Sequence, residues 1–225
     1  MQVEITGRPA FAYAEVTLPP GGAVRLESGA MAMTRGDVEI ATSTQGGFMR
    51  GLRRTLGGES FFVNDFTSRT GGIVGLAPVL AGDMVDIDLT GQDLMVQSGS
   101  WIASDTTVDV DSKWGGAKGF FSGAGLVLLR CSGTGHLLVS AYGGLRDMVL
   151  GAGEQVTIDS GHIVAFDSSV QYRVRKAGSW KTTLLGGEGL VADFVGPGRV
   201  WLQTRSTSDL IMWLDARLPR HTQPS

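Results

Sequence analysis

Gly21-Gly22-Ala23-Val24-Arg25-Leu26-Glu27-Ser28-Gly29 returns twice in altered form, as Gly91-Gln92-Asp93-Leu94-Met95-Val96-Gln97-Ser98-Gly99 and as Gly153-Glu154-Gln155-Val156-Thr157-Ile158-Asp159-Ser160-Gly161. Each version is a glycine, two spacers, two apolar residues separated by one spacer, a further spacer and Ser-Gly. A short apolar run follows each time: Ala30-Met31-Ala32-Met33, Trp101-Ile102-Ala103 and Ile163-Val164-Ala165-Phe166. The starts lie 70 and 62 residues apart. Recurrence at such a period is the mark of an architecture built from repeated units.

A second echo has the same period. Gly58-Glu59-Ser60-Phe61-Phe62 corresponds to Gly123-Ala124-Gly125-Leu126-Val127 and to Gly187-Glu188-Gly189-Leu190-Val191. Glycine-marked turns follow at Gly71-Gly72, Gly133-Thr134-Gly135 and Gly196-Pro197-Gly198. The reading is three units of about 65 residues, near 10–76, 77–140 and 141–206, forming one domain over 1–216 with a polar tail at 217–225. Units of that size bury too little surface alone, so a shared core is expected.

Composition agrees with a folded β protein. Hydrophobic residues make up 42% and charged residues 18%, which excludes a disordered chain. The 34 glycines, with no Gly-X-Y period, imply many tight turns. Alternation of period two marks strands at Val85-Asp86-Ile87-Asp88-Leu89, Val156-Thr157-Ile158, Val170-Gln171-Tyr172-Arg173-Val174 and Val200-Trp201-Leu202-Gln203. The expected fold is therefore all-β, a sandwich or double-stranded β-helix-like body. One short helix is predicted over Ser208–Leu214, covering an end or an edge, with Leu210, Ile211, Trp213 and Leu214 on one stripe and Ser206 and Asp209 as a capping box. The glycine after each repeated serine is expected to need positive φ or a close backbone approach at two or more of Gly29, Gly99 and Gly161.

Charge is segregated. Residues 45–58, 112–122 and 173–186 are expected to be loops at the same place in each unit. They hold Arg50, Arg53, Arg54, Lys113, Lys118, Arg173, Arg175, Lys176 and Lys181, nine of the nineteen basic residues, and none of the 22 acidic ones. A net charge of −3 thus conceals ten basic residues against 22 acidic ones elsewhere. Large apolar residues are interleaved with the cations: Phe48, Met49 and Leu52; Trp114, Phe120 and Phe121; Trp180, Leu184 and Leu185. Basic and apolar residues together suit an anionic membrane surface, where charge attracts and apolar tips insert shallowly. They also suit nucleic acid, through phosphate neutralisation and stacking. The plainest alternative is three ordinary hairpins whose apolar residues begin the next strand. The candidate anion- and membrane-binding residues are Arg50, Arg53, Arg54, Lys118, Arg175, Lys176 and Lys181, with Phe48 and Trp180 as inserting side chains.

No catalytic motif emerges. Ser60 lacks the second glycine that a nucleophile elbow requires. Gly57-Gly58 and Gly186-Gly187 are not followed by Lys-Ser/Thr, so no P-loop is present. His136, His162 and His221 have no partner at metal-ligand spacing, and the carboxylate pairs Asp86/Asp88 and Asp109/Asp111 read as solvated strand faces. Cys131, the single cysteine, sits among apolar residues and reads as a core thiol. The N-terminus has no signal-peptide pattern and no apolar run approaches 18 residues, so the expectation is a soluble cytoplasmic protein, peripheral if it meets a membrane. No enzyme activity, cofactor or metal is expected. Partners are an anionic membrane surface or proteins ahead of RNA, and the chain is expected to form a homo-oligomer.

Gly57-Gly58-Glu59-Ser60-Phe61-Phe62-Val63-Asn64, Ser160-Gly161-His162 and Gly196-Pro197-Gly198-Arg199-Val200-Trp201-Leu202-Gln203-Thr204-Arg205-Ser206 resemble the signatures of the altered-inheritance-of-mitochondria, or mitochondrial-biogenesis, family. The resemblance spans roughly residues 1–216. It implies an all-β fold of repeated units similar to the tryptophan RNA-binding attenuation protein, and it brings no catalytic residues. Fungal members are linked with inner-membrane organisation, which favours a membrane-surface role. The attenuation protein binds tryptophan and RNA as a ring of separate subunits. No matching ligand motif stands in this sequence, so an RNA- or small-ligand-binding role rests on fold-level analogy.

Overall fold

The computed structural model describes residues 1–41, 55–56, 59–60, 63–111, 120–121, 126–177 and 190–218. The fold is all-β with one short helix. An N-terminal strand, β1 (Gln2–Thr6), is followed by β2 (Tyr13–Leu18), β3 (Ala23–Glu27), β4 (Met31–Gly36), β5 (Glu39–Ala41), the short β6 (Thr55–Leu56) and β7 (Glu59–Ser60), β8 (Val63–Thr67) and β9 (Gly72–Leu76). Next come β10 (Gly82–Thr90), β11 (Leu94–Gln97), β12 (Trp101–Asp105), β13 (Val108–Asp111), β14 (Phe120–Phe121) and the long β15 (Leu126–Tyr142). The last run is β16 (Leu145–Leu150), β17 (Gln155–Asp159), β18 (Ile163–Asp167), β19 (Gln171–Lys176), β20 (Leu190–Val195), β21 (Gly198–Gln203) and helix α1 (Thr207–Asp215).

Strand pairing follows one scheme three times. In the first run β9 lies between β2 and β4, while β8 lies between β3 and β5. In the last run β21 lies between β16 and β18, while β20 lies between β17 and β19. In the middle run β15 fills both places: residues 128–133 pair with β11 and β13, and residues 134–142 with β10 and β12. The change of sheet within β15 occurs at Gly133 and Gly135, whose φ angles are 114° and 137°. A Cβ on Gly133 would lie 2.5 Å from the Thr107 carbonyl oxygen, so both conformation and space require glycine there.

Each run is a sandwich. Val16, Leu18, Val74 and Leu76 of one sheet pack with Val24, Leu26 and Phe66 of the other. In the last run Ile163, Phe166 and Val200 meet Ile158, Ala192 and Phe194, with the Phe166 and Phe194 rings edge to face at 5.1 Å. The central cluster, around Trp101, Val96, Leu129 and Val164, mixes residues of several runs and includes Trp201. The core is therefore shared.

The runs are joined edge to edge by strands. β12 pairs with β3 (Ala103 opposite Leu26), and β18 pairs with β11 (Ala165 opposite Val96). Ser28, Ser98 and Ser160 all sit between the second and third strands of their runs. Each third strand then carries a one-residue irregularity: between Met31 and Met33, Trp101 and Ala103, and Ile163 and Ala165. The glycines after the serines behave differently from expectation. Only Gly29 has positive φ, at 95°. Gly99 and Gly161 lie in single 3₁₀ turns, Ser98–Ser100 and Ser160–His162. A Cβ at Gly161 would meet Ser206 Oγ at 2.6 Å, and one at Gly99 would meet Gln97 Oε1 at 3.2 Å, both side-chain contacts. A 3₁₀ turn reverses direction without left-handed backbone, which removes the need that the sequence suggested.

Candidate functional site

The three basic stretches fall at the passage from the fourth to the fifth strand of a run: 45–58 lies between β5 and β8, 112–122 between β13 and β15, and 173–186 begins within β19 and leads towards β20. Their roots are ordered antiparallel pairs: Ala41 opposite Asp65, Asp111 opposite Arg130, and Lys176 opposite Leu190. Of the candidate binding residues, Arg175 and Lys176 lie on β19 and are exposed. Arg50, Arg53, Arg54, Lys118 and Lys181, with Phe48 and Trp180, lie outside the described residues.

Arg175 is already engaged. Its Nε and Nη2 donate to the Asp193 carboxylate at 2.6 and 2.9 Å. Those bonds raise the guanidinium above its ordinary value, and with a further bond from Thr157 they hold Asp193 below the usual carboxylate range. Arg173 stands opposite Asp193 in register and adds to the attraction. The stretch 173–186 contains no acid, yet its root borrows one from the next strand, 18 residues away from Arg175.

The same strand position carries an ion pair in every run. Asp65 on β8 accepts from Arg25 at 2.8 Å, and Arg130 on β15 donates to Asp93 at 2.6 Å. Register makes these equivalent to Asp193: Arg25 lies opposite Asp65, Met95 opposite Arg130, and Thr157 opposite Asp193. Each hairpin root is thus tied by a charge pair whose sign is reversed in the middle run. Periodicity reveals the strands, but not that Asp65, Arg130 and Asp193 share a position; only the pairing register does.

A second region lies where the Ser-Gly turns converge. A cleft of about 450 Å³ is lined by Glu27 of the first run, Gln97 and Gly99 of the second, Ser160 and Gly161 of the third, and Ile211 of α1. Gln203 ties it together. Its Nε2 donates to the Gly161 carbonyl at 2.8 Å, its Oε1 accepts from the Tyr142 N–H at 2.9 Å, and its own carbonyl lies 2.7 Å from His162 Nδ1. The buried Ser98 Oγ has no hydrogen-bond partner among the described residues. Ser206 caps α1 by accepting from the Asp209 N–H, as the sequence predicts. The apolar stripe of α1 does not pack inward: Ile211, Trp213 and Leu214 are 59%, 54% and 37% exposed, and Met212 between them is 49% exposed. Arg217 lies over the Trp213 ring at 4.5 Å.

Titratable groups elsewhere are structural in their contacts. Asp86 is not a solvated face residue, as alternation suggests. Burial raises its carboxyl, although His136 Nδ1 approaches Asp86 Oδ2 at 2.9 Å and opposes that shift. Asp83 is 3% exposed and accepts from Arg8 Nε at 2.7 Å. Burial makes Cys131 a poor thiolate by raising its thiol far above the ordinary value. Among the described residues no group of three His, Cys, Asp or Glu side chains is placed to hold a metal ion. No helix of the described residues is long and apolar enough to cross a membrane.

This arrangement has counterparts in known proteins. An uncharacterized protein of Streptococcus pyogenes serotype M6 is 27% identical over 218 residues, covering 93% of this chain and 88% of that one. A crystal structure of a Streptococcus pyogenes protein superposes with a TM-score of 0.79 at 25% identity, covering 96% of this chain and 99% of the other. The family model described as mitochondrial biogenesis AIM24 matches residues 3–205. Since that match takes in nearly all of the strands, the chain belongs to the mitochondrial biogenesis AIM24 family.

Proposed function

We propose that this protein is a non-enzymatic scaffold or adaptor that associates peripherally, from the cytoplasm, with anionic membrane surfaces through its three basic stretches. The observation that carries this reading is the segregation of charge. Nine cations and no acids occupy the stretches 45–58, 112–122 and 173–186, with apolar side chains among them. Each basic residue that reaches an anionic surface contributes about 1 kcal/mol. Arg175 counts for less, because Asp193 already neutralises it locally. Arg50, Arg53 and Arg54 form the densest group, and Phe48 and Trp180 supply apolar insertion. The exposed Ile211, Met212 and Trp213 of α1 offer a further apolar contact.

Co-sedimentation with vesicles of anionic lipid tests the reading. Arg50, Arg53 and Arg54 changed together to Glu should abolish binding while the circular dichroism spectrum stays unchanged. Undiminished binding by that variant, or equal binding to neutral vesicles, refutes it.

A second reading, a small-ligand-binding module, is favoured by the cleft between the Ser-Gly turns. Glu27, Gln97 and Ser160 there provide polar groups against apolar Ile102 and Ile211. RNA binding rests on fold analogy alone. A ligand in the cleft would raise the melting temperature of the wild-type chain but not that of a Gly161→Leu variant.

A further inference from the structure

The three runs differ in how the edges of their second and third strands are covered. In the middle run both edges are used. The second strand, β11, takes β18, and the third strand, β12, takes β3. The outer runs each spend one such edge on the middle run. The third strand of the first run, β4, and the second strand of the last run, β17, are the terminal strands of their sheets among the described residues. The molecule thus makes the third-strand-to-second-strand junction twice and keeps one unused edge of each kind.

Burial records the difference. Trp101 and Ile163, which open the third strands of the joined runs, are 0% and 1% exposed, whereas Met31 at the same position is 39% exposed. Ile102 and Val164 are buried, whereas their counterpart Ala32 is exposed. Along β17, four of five residues are exposed or only half-buried, whereas three of the four in β11 are buried. The outermost strands β5 and β19 are also sheet edges, but their places are outermost in every run. β16 ends its sheet as well, although its counterpart β2 is covered by β1; β4 and β17 are the places that the junctions between runs cover elsewhere.

Neither strand contains lysine or proline, each carries a single charged residue (Arg35 and Asp159), and the irregularity at Ala32 is no guard, because the paired strands β12 and β18 have it too. We propose that β4 of one copy pairs with β17 of a second copy, repeating between chains the junction made twice within each chain. The two edges are different surfaces, so the contact is heterologous and head-to-tail, extending copy by copy until it closes into a ring.

The internal junctions fix the register. In both, the third-strand residue four positions after the Ser-Gly glycine faces the second-strand residue two positions before the serine: Ala103 with Leu26, and Ala165 with Val96. The next pairs are Ser104 with Arg25 and Phe166 with Met95. The same rule places Met33 of one copy opposite Ile158 of the next, and Thr34 opposite Thr157. Thr34 and Thr157 are both exposed in the single chain. Facing residues of antiparallel strands bring their Cβ atoms to about 4.5–5.5 Å, near disulfide distance. Self-assembly of this kind is independent of what the basic stretches bind, although it would multiply their number on one particle.

Cysteine cross-linking of the full chain decides the matter, since the native Cys131 is buried and will not compete. Thr34→Cys and Thr157→Cys are made as separate variants, mixed and oxidised. The expected result is a covalent dimer in the mixture and little in either variant alone. The double variant T34C/T157C should give multimers on a non-reducing gel. An internal cross-link confined to the monomer would show that the edges close within one chain and overturn the proposal. So would dimers of Thr34→Cys with itself, which indicate a two-fold contact. Absence of any cross-link in variants with wild-type circular dichroism overturns it as well.

Discussion

Arg8 and Asp83 should be unequal partners. The Asp83 side chain is 3% exposed, while that of Arg8 is 47% exposed. The carboxylate accepts from Arg8 Nε at 2.7 Å, from Arg8 Nη2 at 3.2 Å and from the Met84 N–H at 2.9 Å. Burial alone would raise its pKa, but these bonds outweigh burial and hold it below the ordinary carboxylate range. Arg8→Met leaves a buried charge with only its backbone donors, those of Met84 and Leu145. Breaking a buried pair costs about 3–5 kcal/mol, and the half-exposure of Arg8 reduces that to about 2–3 kcal/mol. Asp83→Asn leaves a guanidinium that turns to water, so the cost should be about 1 kcal/mol. The double variant should cost less than the sum, because the neutral amide no longer needs the cation.

The pH dependence has a definite sign. A depressed carboxyl stabilises the fold above its unfolded pKa of about 3.9, and that contribution is lost as pH falls through the lower folded value. Without Arg8 the burial effect prevails and the carboxyl protonates earlier. The deficit of Arg8→Met should therefore shrink between pH 7 and pH 4. Urea unfolding followed by tryptophan fluorescence measures all of this. Equal costs for the two single variants, or a deficit of Arg8→Met that does not change with pH, would refute the reasoning.

Other predictions follow from burial and backbone. Trp101→Ala, in the central core, should cost about 3–5 kcal/mol, while Met31→Ala at the equivalent but exposed position should cost under about 1 kcal/mol in the same urea assay. Gly133→Val combines a φ of 114° with a Cβ 2.5 Å from a backbone oxygen, and it should cost more than about 3 kcal/mol or prevent folding. Gly99→Ala should cost about 1 kcal/mol or less, since only the Gln97 side chain must move. Cys131 should resist a thiol reagent in native buffer and react once in full on unfolding; rapid native reaction would contradict its burial.

The sequence made the strands legible through alternation and the Ser-Gly repeats, and it revealed the helix through the Ser206 cap. It could not reveal how the serine turns are built. Ser28-Gly29 and Ser98-Gly99 share two residues, yet one turn uses left-handed glycine and the other a 3₁₀ turn. The shared Ser-Gly pair does not specify the turn, and the residue before the serine differs, Glu27 in one and Gln97 in the other. Charge was legible as segregation but not as pairing. Asp193 lies outside the acid-free stretch and still neutralises Arg175, because register rather than sequence distance brings them together. The helix stripe of Leu210, Ile211, Trp213 and Leu214 follows the 3.6 period of a buried face, but its burial depends on a surface that the period does not specify, and Ile211, Trp213 and Leu214 are exposed.

The central claim is that three acid-free basic stretches direct this proposed scaffold to an anionic surface. Its most direct test is a parallel titration of the wild-type chain with anionic vesicles and with single-stranded RNA at low salt. The account predicts saturable vesicle binding that weakens as salt rises, with no RNA complex. Binding to RNA alone, with log affinity falling linearly against log salt, or binding to neither, would contradict it.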